Sequence, residues 1–535
     1  MKVIGARFYD NPDEPGYIIT ARDEIGHGTH VSSIATGRPV PGASYYGVAN
    51  GTARGGAPDA RIAVYRTMQL PDGVDVISQS LSSPPEEEDR LDFFNDASAI
   101  GAFHAVEAGI TVVSSAGNYG PFSETVANVA PWVLTVAATT IDRDFEAKVV
   151  LGGNMVIKGG SINFSNLNRS PVYPLINGRS AQSASIQLDL GFNASNCVPG
   201  SLDDAKVNGT IVLCENKDGE YGTRAKFVML KSQGAIAMIV IDNDRGQVPS
   251  RFGTSPIDPI VVVDEEDGAR ILSYINSTSG PDVTAPGASI LAAWPSIKTR
   301  AAIPSKELPL FNIISGTSMS CPHVSGLAAT IKSWHPTWSP SAIRSAIMTT
   351  AIQRNNLNAP ITTKDGTRAT PYDIGAGEIS TSGPLRPGLV YEIETIHYIQ
   401  FLCNFGYNAS VIRTISLTVP DNFSCPSNLS FDLISNLNYP SIAVTGLRAN
   451  GSRIVKRTVT NVAAENSTYT ATVEKPAGIQ VRVVPRQLHF TKDVKKLSFQ
   501  VIFVPTASFE EDLFGSIRWS NKKYRVRSPF VVSNG

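Results

Sequence analysis

Three short segments of this 535-residue chain carry side chains whose types and spacing suit one reaction, attack of an activated hydroxyl on a carbonyl carbon. The first is Ser315-Gly316-Thr317-Ser318-Met319-Ser320-Cys321-Pro322-His323. Apolar Phe311, Ile313 and Ile314 precede it, and from Val324 to Trp334 apolar residues recur at helical spacing. Ser318 therefore falls at or beside the start of a buried helix. Backbone N–H groups and the positive end of the helix dipole stabilise negative charge on a reacting oxygen there. The same position suits an ordinary N-cap, so the serine needs partners before it signifies chemistry.

The second segment, Asp23-Glu24-Ile25-Gly26-His27-Gly28-Thr29-His30, opens another helical run from Val31 to Gly37. Glycines on both sides of His27 allow close approach to a different element, as a base reaching a distant nucleophile requires. A zinc pair made of His27 and His30 is the alternative. It lacks further ligands at the usual spacings, since no HExxH or CxxC is present. The third segment runs from Ile110 through β-prone residues to Ala116-Gly117-Asn118, so Asn118 projects from the end of a buried strand. An amide there can donate to a developing oxyanion, a contact worth about 2.7–4 kcal/mol. Alone, Asn118 before Tyr119-Gly120-Pro121 would be a turn residue.

Taken together, GHGTH around His27, SAGN ending at Asn118 and GTSMSCPH around Ser318 resemble, in sequence and in order, the histidine, oxyanion and serine blocks of the subtilisin-like serine proteases. The chain is most similar to the plant subtilases, through Gly51-Thr-Ala-Arg-Gly-Gly-Ala-Pro58, Gly101-Ala-Phe-His104, Ala130-Pro-Trp132, Thr284-Ala-Pro-Gly287 and Arg457-Thr-Val-Thr-Asn461. The resemblance covers almost the whole chain. It implies a serine endopeptidase acting on protein or peptide substrates. Ser318 would be the nucleophile, His27 the base and then acid, and Asn118 with the Ser318 N–H the oxyanion hole. It also implies that extended substrate lies along Ser80-Leu81-Ser82 and Ser115-Ala116-Gly117. Ser82 stands where the family usually has glycine.

The resemblance leaves the triad acid missing. In the family that acid ends a strand well upstream of the histidine block, in a sequence like DTGIWPE, and this chain has no such sequence before His27. Asp10 and Asp13 lie in a polar loop with prolines. Asp23 matches a family acid next to the histidine block that is not the triad member. Two internal stretches of the family are also absent. One is a helix between Thr67 and Gly73, where only Met68 to Asp72 bridges two presumptive strands, although a parallel crossover needs about a dozen residues or more. The other follows Ser279-Gly280. The expectation is an N-terminally truncated subtilase, with a non-catalytic, protein-binding relative as the alternative.

Composition narrows the remainder. A net charge of −1 with 17% charged residues gives no reason to expect nucleic acid, and no run of about 18 apolar residues suggests a membrane span. No cofactor or metal is implied. Met1 is followed by no signal-peptide pattern. Yet Asn50, Asn163, Asn168, Asn193, Asn208, Asn276, Asn408, Asn422, Asn428, Asn450 and Asn466 each open an Asn-x-Ser/Thr sequon, an excess that favours a glycosylated, secreted protein of the cell-wall space. A secreted protein whose encoded start is missing reconciles these. Five cysteines allow two bridges, Cys197–Cys214 and Cys403–Cys425 being near in sequence, and leave Cys321 as a buried small apolar residue.

The fold class expected is α/β: a subtilisin-like, mainly parallel sheet with an inserted protease-associated domain and a C-terminal fibronectin type III-like β-sandwich. Residues 1–165 read as the first part of the catalytic core, with a polar change of composition around 161–168. Residues 170–280 read as the insert, whose role is a lid or spacer or else substrate gating or homodimer contact. Residues 282–435 read as the second part of the core and 436–535 as the sandwich. His104, His323, His335, His397 and His489 read as structural.

Overall fold

The computed structural model describes residues 2–8, 20–66, 73–82, 92–120, 125–143, 145–150, 156–165, 167, 172–183, 190–216, 221–241, 257–263, 281–297, 301–363, 366–449, 451–463 and 466–534. Its centre is a parallel sheet in the order Val283–Pro286, Leu134–Thr139, Thr111–Ser115, Val76–Gln79. Every residue of the inner strand Thr111–Ser115 is buried, as expected for a parallel sheet covered on both faces. One cover is the helix Thr317–Trp334, here the serine helix. Its Cys321, Val324, Ala328 and Ile331 pack on Val113, Leu134, Val136, Val283 and Ala285. The helix Ala97–Glu107 buries Phe103 against Trp132, starting from Asp96, whose carboxylate caps Ser98 N and Ala99 N.

The strand Ile62–Arg66 is not part of that sheet. It pairs in parallel with Val3–Phe8, whose residues are all exposed, and the two form a separate ribbon. Residues 67–75 connect Ile62–Arg66 to Val76–Gln79, too few for a helical crossover between adjacent parallel strands. The split sheet agrees with that constraint.

The intervening unit is built on a six-stranded sheet. Leu175–Asn177, Ile211–Glu215, Ala237–Ile241 and Ile260–Val263 run parallel, and Val156–Gly160 with Glu146–Val150 adds an antiparallel edge. Residues 146–150 and 156–160, assigned from sequence to the first part of the core, thus join this sheet. The change of composition at 161–168 follows the entry to this unit and does not mark its start. Cys197 bonds to Cys214 in it, and a helix spans Thr223–Ser232.

From residue 389 onward short strands form two facing sheets around Trp519, Tyr469, Phe503 and Phe530. One has the order Leu389–Val390, Arg453–Asn461, Lys496–Pro505, Ile479–Val484; the other Ile442–Val444, Arg525–Val532, Leu513–Ser520, Ser467–Glu474, Gln487–Phe490. Strict in/out alternation, seen in Ile479–Val484, is the mark of strands with one face in a sandwich core. The buried Arg457 guanidinium donates to the Tyr439, Ser435 and Ser441 carbonyls. Tyr439 in turn donates to Asp282, beside the central sheet, and lies under Arg344 at 4.3 Å. The sandwich is thereby tied to the unit that carries the serine helix. A second disulfide, Cys403–Cys425, closes the helical segment between them.

Candidate active site

The histidine helix spans His27–Thr36 and lies against the serine helix. They pass closely at Gly326, where an added Cβ would sit 2.7 Å from Ala35 O and 3.0 Å from Gly56 Cα. Nearer the helix starts, His30 feels the charge of His323. Both pairings run in the same sense, so the two helices are roughly parallel and their N-terminal ends, with His27 and Ser318, lie at the same end of the pair. The sequence placed a glycine on each side of His27 for close approach, and the structure uses only one. A side chain at Gly26, whose φ is 105°, would overlap the Trp294 ring, whereas one at Gly28 would meet Asp23 Oδ2 at an ordinary 3.5 Å.

Asp23 organises the start of this helix. Its Oδ1 accepts from Gly26 N at 2.7 Å and Ile25 N at 3.0 Å, and its Oδ2 accepts from Thr29 N at 2.6 Å and Thr29 Oγ1 at 2.7 Å. Burial pushes the Asp23 carboxyl up, but these donors outweigh it and the net shift is downward. The carboxylate is a helix cap whose charge also reaches His27. There burial lowers the imidazole below its ordinary value and Asp23 opposes the shift. Asp10 and Asp13 lie outside the described residues.

His30 has a different task. Its ring is fully buried, with Nε2 3.1 Å from Ile290 O and 3.2 Å from Asn312 O. Two carbonyl acceptors require the proton on Nε2. His30 therefore cross-links the hairpin of Ile290–Ala293 and Phe311–Ile314, which leads directly into the serine segment. Burial drives its pKa down to about 3, so the ring is neutral.

Ser318 is the second residue of its helix and is buried. Pro322, four residues on, has no N–H, so the Ser318 carbonyl lacks its usual intrahelical donor. Ser80 Oγ supplies one at 2.8 Å, and Ser318 Oγ donates back to Ser80 O at 3.3 Å. This reciprocal pair fixes the strand end Ser80–Ser82 to the nucleophile segment. Cys321 lies beneath, with Sγ 3.4 Å from Val113 O, and burial raises its thiol pKa. It is a packed small residue of the sheet–helix contact.

Asn118 follows the buried strand Thr111–Ser115, and its Oδ1 accepts from both Thr317 N and Thr317 Oγ1 at 3.0 Å. Thr317 Oγ1 also lies 3.2 Å from Gly117 O. With its oxygen committed to the first residue of the serine helix, the Asn118 amide has one orientation, Nδ2 being the donor end. Gly316, at φ 148°, keeps that end open, since a Cβ there would stand 3.2 Å from Nδ2. Asn118 is therefore aligned with the same helix terminus that holds Ser318. His27 shares that end of the helix pair.

Thr317 and Asn128 were not singled out from the sequence as site residues, and Ser80 was named there only as part of a substrate-facing segment. Asn128 adopts a φ of 58° and donates from Nδ2 to Leu81 O at 2.9 Å and Ser115 O at 2.8 Å. Among the described residues no group of three or more His, Cys, Asp or Glu is arranged to hold a metal, and no helix is long and apolar enough to cross a membrane.

Comparison with known proteins identifies the family. The subtilase family model matches residues 5–377, and a fibronectin type-III domain model matches residues 436–532. The chain is 48% identical to the CO(2)-response secreted protease of Arabidopsis thaliana, over 100% of this chain and 75% of that protein. It is 44% identical to subtilisin-like protease SBT5.1 of the same plant, again over 100% of this chain and 75% of the relative. With subtilisin-like serine-protease S of Lotus japonicus the identity is 36%, over 99% and 76% of the two chains. The chain belongs to the subtilase family, the serine-type peptidases whose fold and sequence blocks it carries from the histidine helix to the C-terminal sandwich.

Proposed function

We propose that this chain is a serine endopeptidase that cleaves proteins or peptides through an acyl-enzyme on Ser318. In the acylation step His27 takes the Ser318 hydroxyl proton as Oγ bonds to the scissile carbonyl carbon. The carbonyl π electrons move to its oxygen, where Asn118 Nδ2 and the Ser318 backbone N–H receive the charge. Collapse returns those electrons, His27 gives its proton to the leaving amine, and water reverses the sequence to release the acid. The observation carrying this reading is the double hydrogen bond from Thr317 to Asn118 Oδ1. It aims an amide donor at the helix terminus that bears the serine.

His27 is held below its ordinary pKa chiefly by burial, which keeps it neutral and able to accept a proton near neutrality. In the resting arrangement the Ser318 proton is directed to Ser80 O, so attack requires rotation of the hydroxyl toward His27. Asp23 spends both carboxylate oxygens on the helix start and acts on His27 only through its field. Subtilisin-type catalysis loses about 3 × 10⁴ in kcat without its acid and about 2 × 10⁶ without the serine or histidine. Loss of Ser318 or His27 is therefore the change an activity assay reads most strongly. The name of its secreted relative and the sequons support an extracellular, glycosylated protein. The unit around Ala237–Ile241 is read as a protease-associated insert that caps the site or supports dimer contact.

Hydrolysis of fluorescein-labelled casein by the purified chain, lost on Ser318→Ala, is the test. Equal release by the two proteins defeats the proposal. The division of the sheet between Ile62–Arg66 and Val76–Gln79 supports the second reading, a non-catalytic relative that binds proteins.

A further inference from the structure

Two backbone segments flank Ser318 and Asn118: Ser80–Ser82, after the strand Val76–Gln79, and Ser115–Gly117, at the end of Thr111–Ser115. Asn128 touches both. A side-chain amide has two N–H donors, and the Asn128 Nδ2 group spends one on Leu81 O at 2.9 Å and one on Ser115 O at 2.8 Å. Its own carbonyl accepts from Thr135 Oγ1 at 2.6 Å, and the next residue back, Ala127, donates from N to Ala116 O at 2.8 Å. Asn128 is thus anchored to the central sheet while spanning the two segments. The left-handed φ of 58° brings its side chain to that position, and Asn tolerates it better than most residues.

The bonds have a directional consequence. Successive carbonyls of an extended segment point to opposite sides. Holding Leu81 O toward Asn128 turns Ser80 O and Ser82 O the other way, and these meet Ser318 Oγ at 3.3 Å and Tyr119 OH at 3.2 Å. We propose that Asn128 is a positioning residue that sets the separation and orientation of the two walls along which an extended peptide binds. It does not touch the reacting atoms. The proposal rests on the peptidase reading given above for which groups face substrate, and adds the residue that spaces them.

The test uses the full chain with Asn128→Asp, which keeps size and backbone preference but cannot donate, and Asn128→Gly, which removes the side chain without straining the backbone. Labelling of Ser318 by a plain alkyl fluorophosphonate is expected to be unchanged, since that probe spans neither wall. For fluorescein-casein hydrolysis, KM is expected to rise about tenfold with little change in kcat, the size of effect that losing such positioning bonds gives. A parallel fall in labelling and in casein cleavage would mark general damage and overturn the proposal. Casein binding is also compared by fluorescence anisotropy in Ser318→Ala with and without Asn128→Asp, where no chemistry is needed. A Kd about ten times weaker in the double variant is expected there. Equal Kd values, or no binding by either, overturn the proposal. The binding contrast between those two variants, with a wild-type chain that neither labels nor cleaves, would defeat the peptidase reading alone.

Discussion

Acidification tests the placement of His30 without any assumption about activity. The ring is buried, its Nε2 proton is shared between Ile290 O and Asn312 O, and its pKa in the folded chain is about 3 against an ordinary 6.5. The folded state therefore binds no proton at His30 between those values, whereas the unfolded chain does. Because the unfolded state binds more protons there, stability falls as pH drops below about 6.5. From pH 7 to pH 5 the linkage comes to about 2 kcal/mol, at about 1.4 kcal/mol per pH unit. The neighbouring His27 and His323 also disfavour a charge on His30, and both are themselves held below their ordinary values by burial. A variant that cannot titrate isolates the His30 contribution. His30→Gln places an NH2 group near the Nε2 position, able to serve both carbonyls. Urea unfolding of wild type and variant at pH 7 and pH 5 should show the wild type losing about 2 kcal/mol more across the interval. Equal losses in the two proteins would refute the buried, neutral ring.

Further outcomes follow from the site. Asn118→Ala should lower kcat for casein about 10²–10³-fold while leaving KM within a few-fold, the pattern of a donor used only as charge develops; a pure KM effect would speak against it. The acid limb of kcat/KM should lie below pH 6.5, because burial lowers His27, and Asp23→Asn should move it lower still by removing the one charge that opposes the shift. An upward move would contradict that electrostatic assignment. Loss of the Asp23 cap in Asp23→Ala should cost about 1–2 kcal/mol in urea unfolding, and no measurable loss would mean that the four donors find other acceptors.

What the sequence disclosed and what it concealed divide along a physical line. His27, Asn118 and Ser318 were legible because they sit in short runs of small residues at element ends, in blocks that the family resemblance picks out. Both disulfide pairs were legible from proximity along the chain, and both form. The strand Thr111–Ser115 was plain from its run of β-prone residues. Asn128 and the bonding role of Ser80 were hidden because their partners are backbone carbonyls, which every residue has and no motif records. The donor role of Ser80 becomes readable only after Pro322 is seen to leave the Ser318 carbonyl without a helical partner. Gly316 was present in the serine block, but its purpose depends on a φ of 148° and a neighbour 198 positions earlier in the chain, Asn118. The strands Glu146–Val150 and Val156–Gly160 were placed with the first part of the core because no change in composition precedes them. The partner of Val156–Gly160, Ile260–Val263, is remote in sequence, and such pairing leaves no local trace.

The central claim is that Ser318 is a nucleophile activated by His27, and the most direct measurement is peptide mapping after treatment of the folded chain with an alkyl fluorophosphonate. The account predicts a phosphonyl adduct on the peptide containing Ser318, absent from Ser318→Ala and slowed by orders of magnitude in His27→Ala. An adduct on another serine, labelling at Ser318 that is indifferent to His27, or no adduct on the folded chain would contradict it.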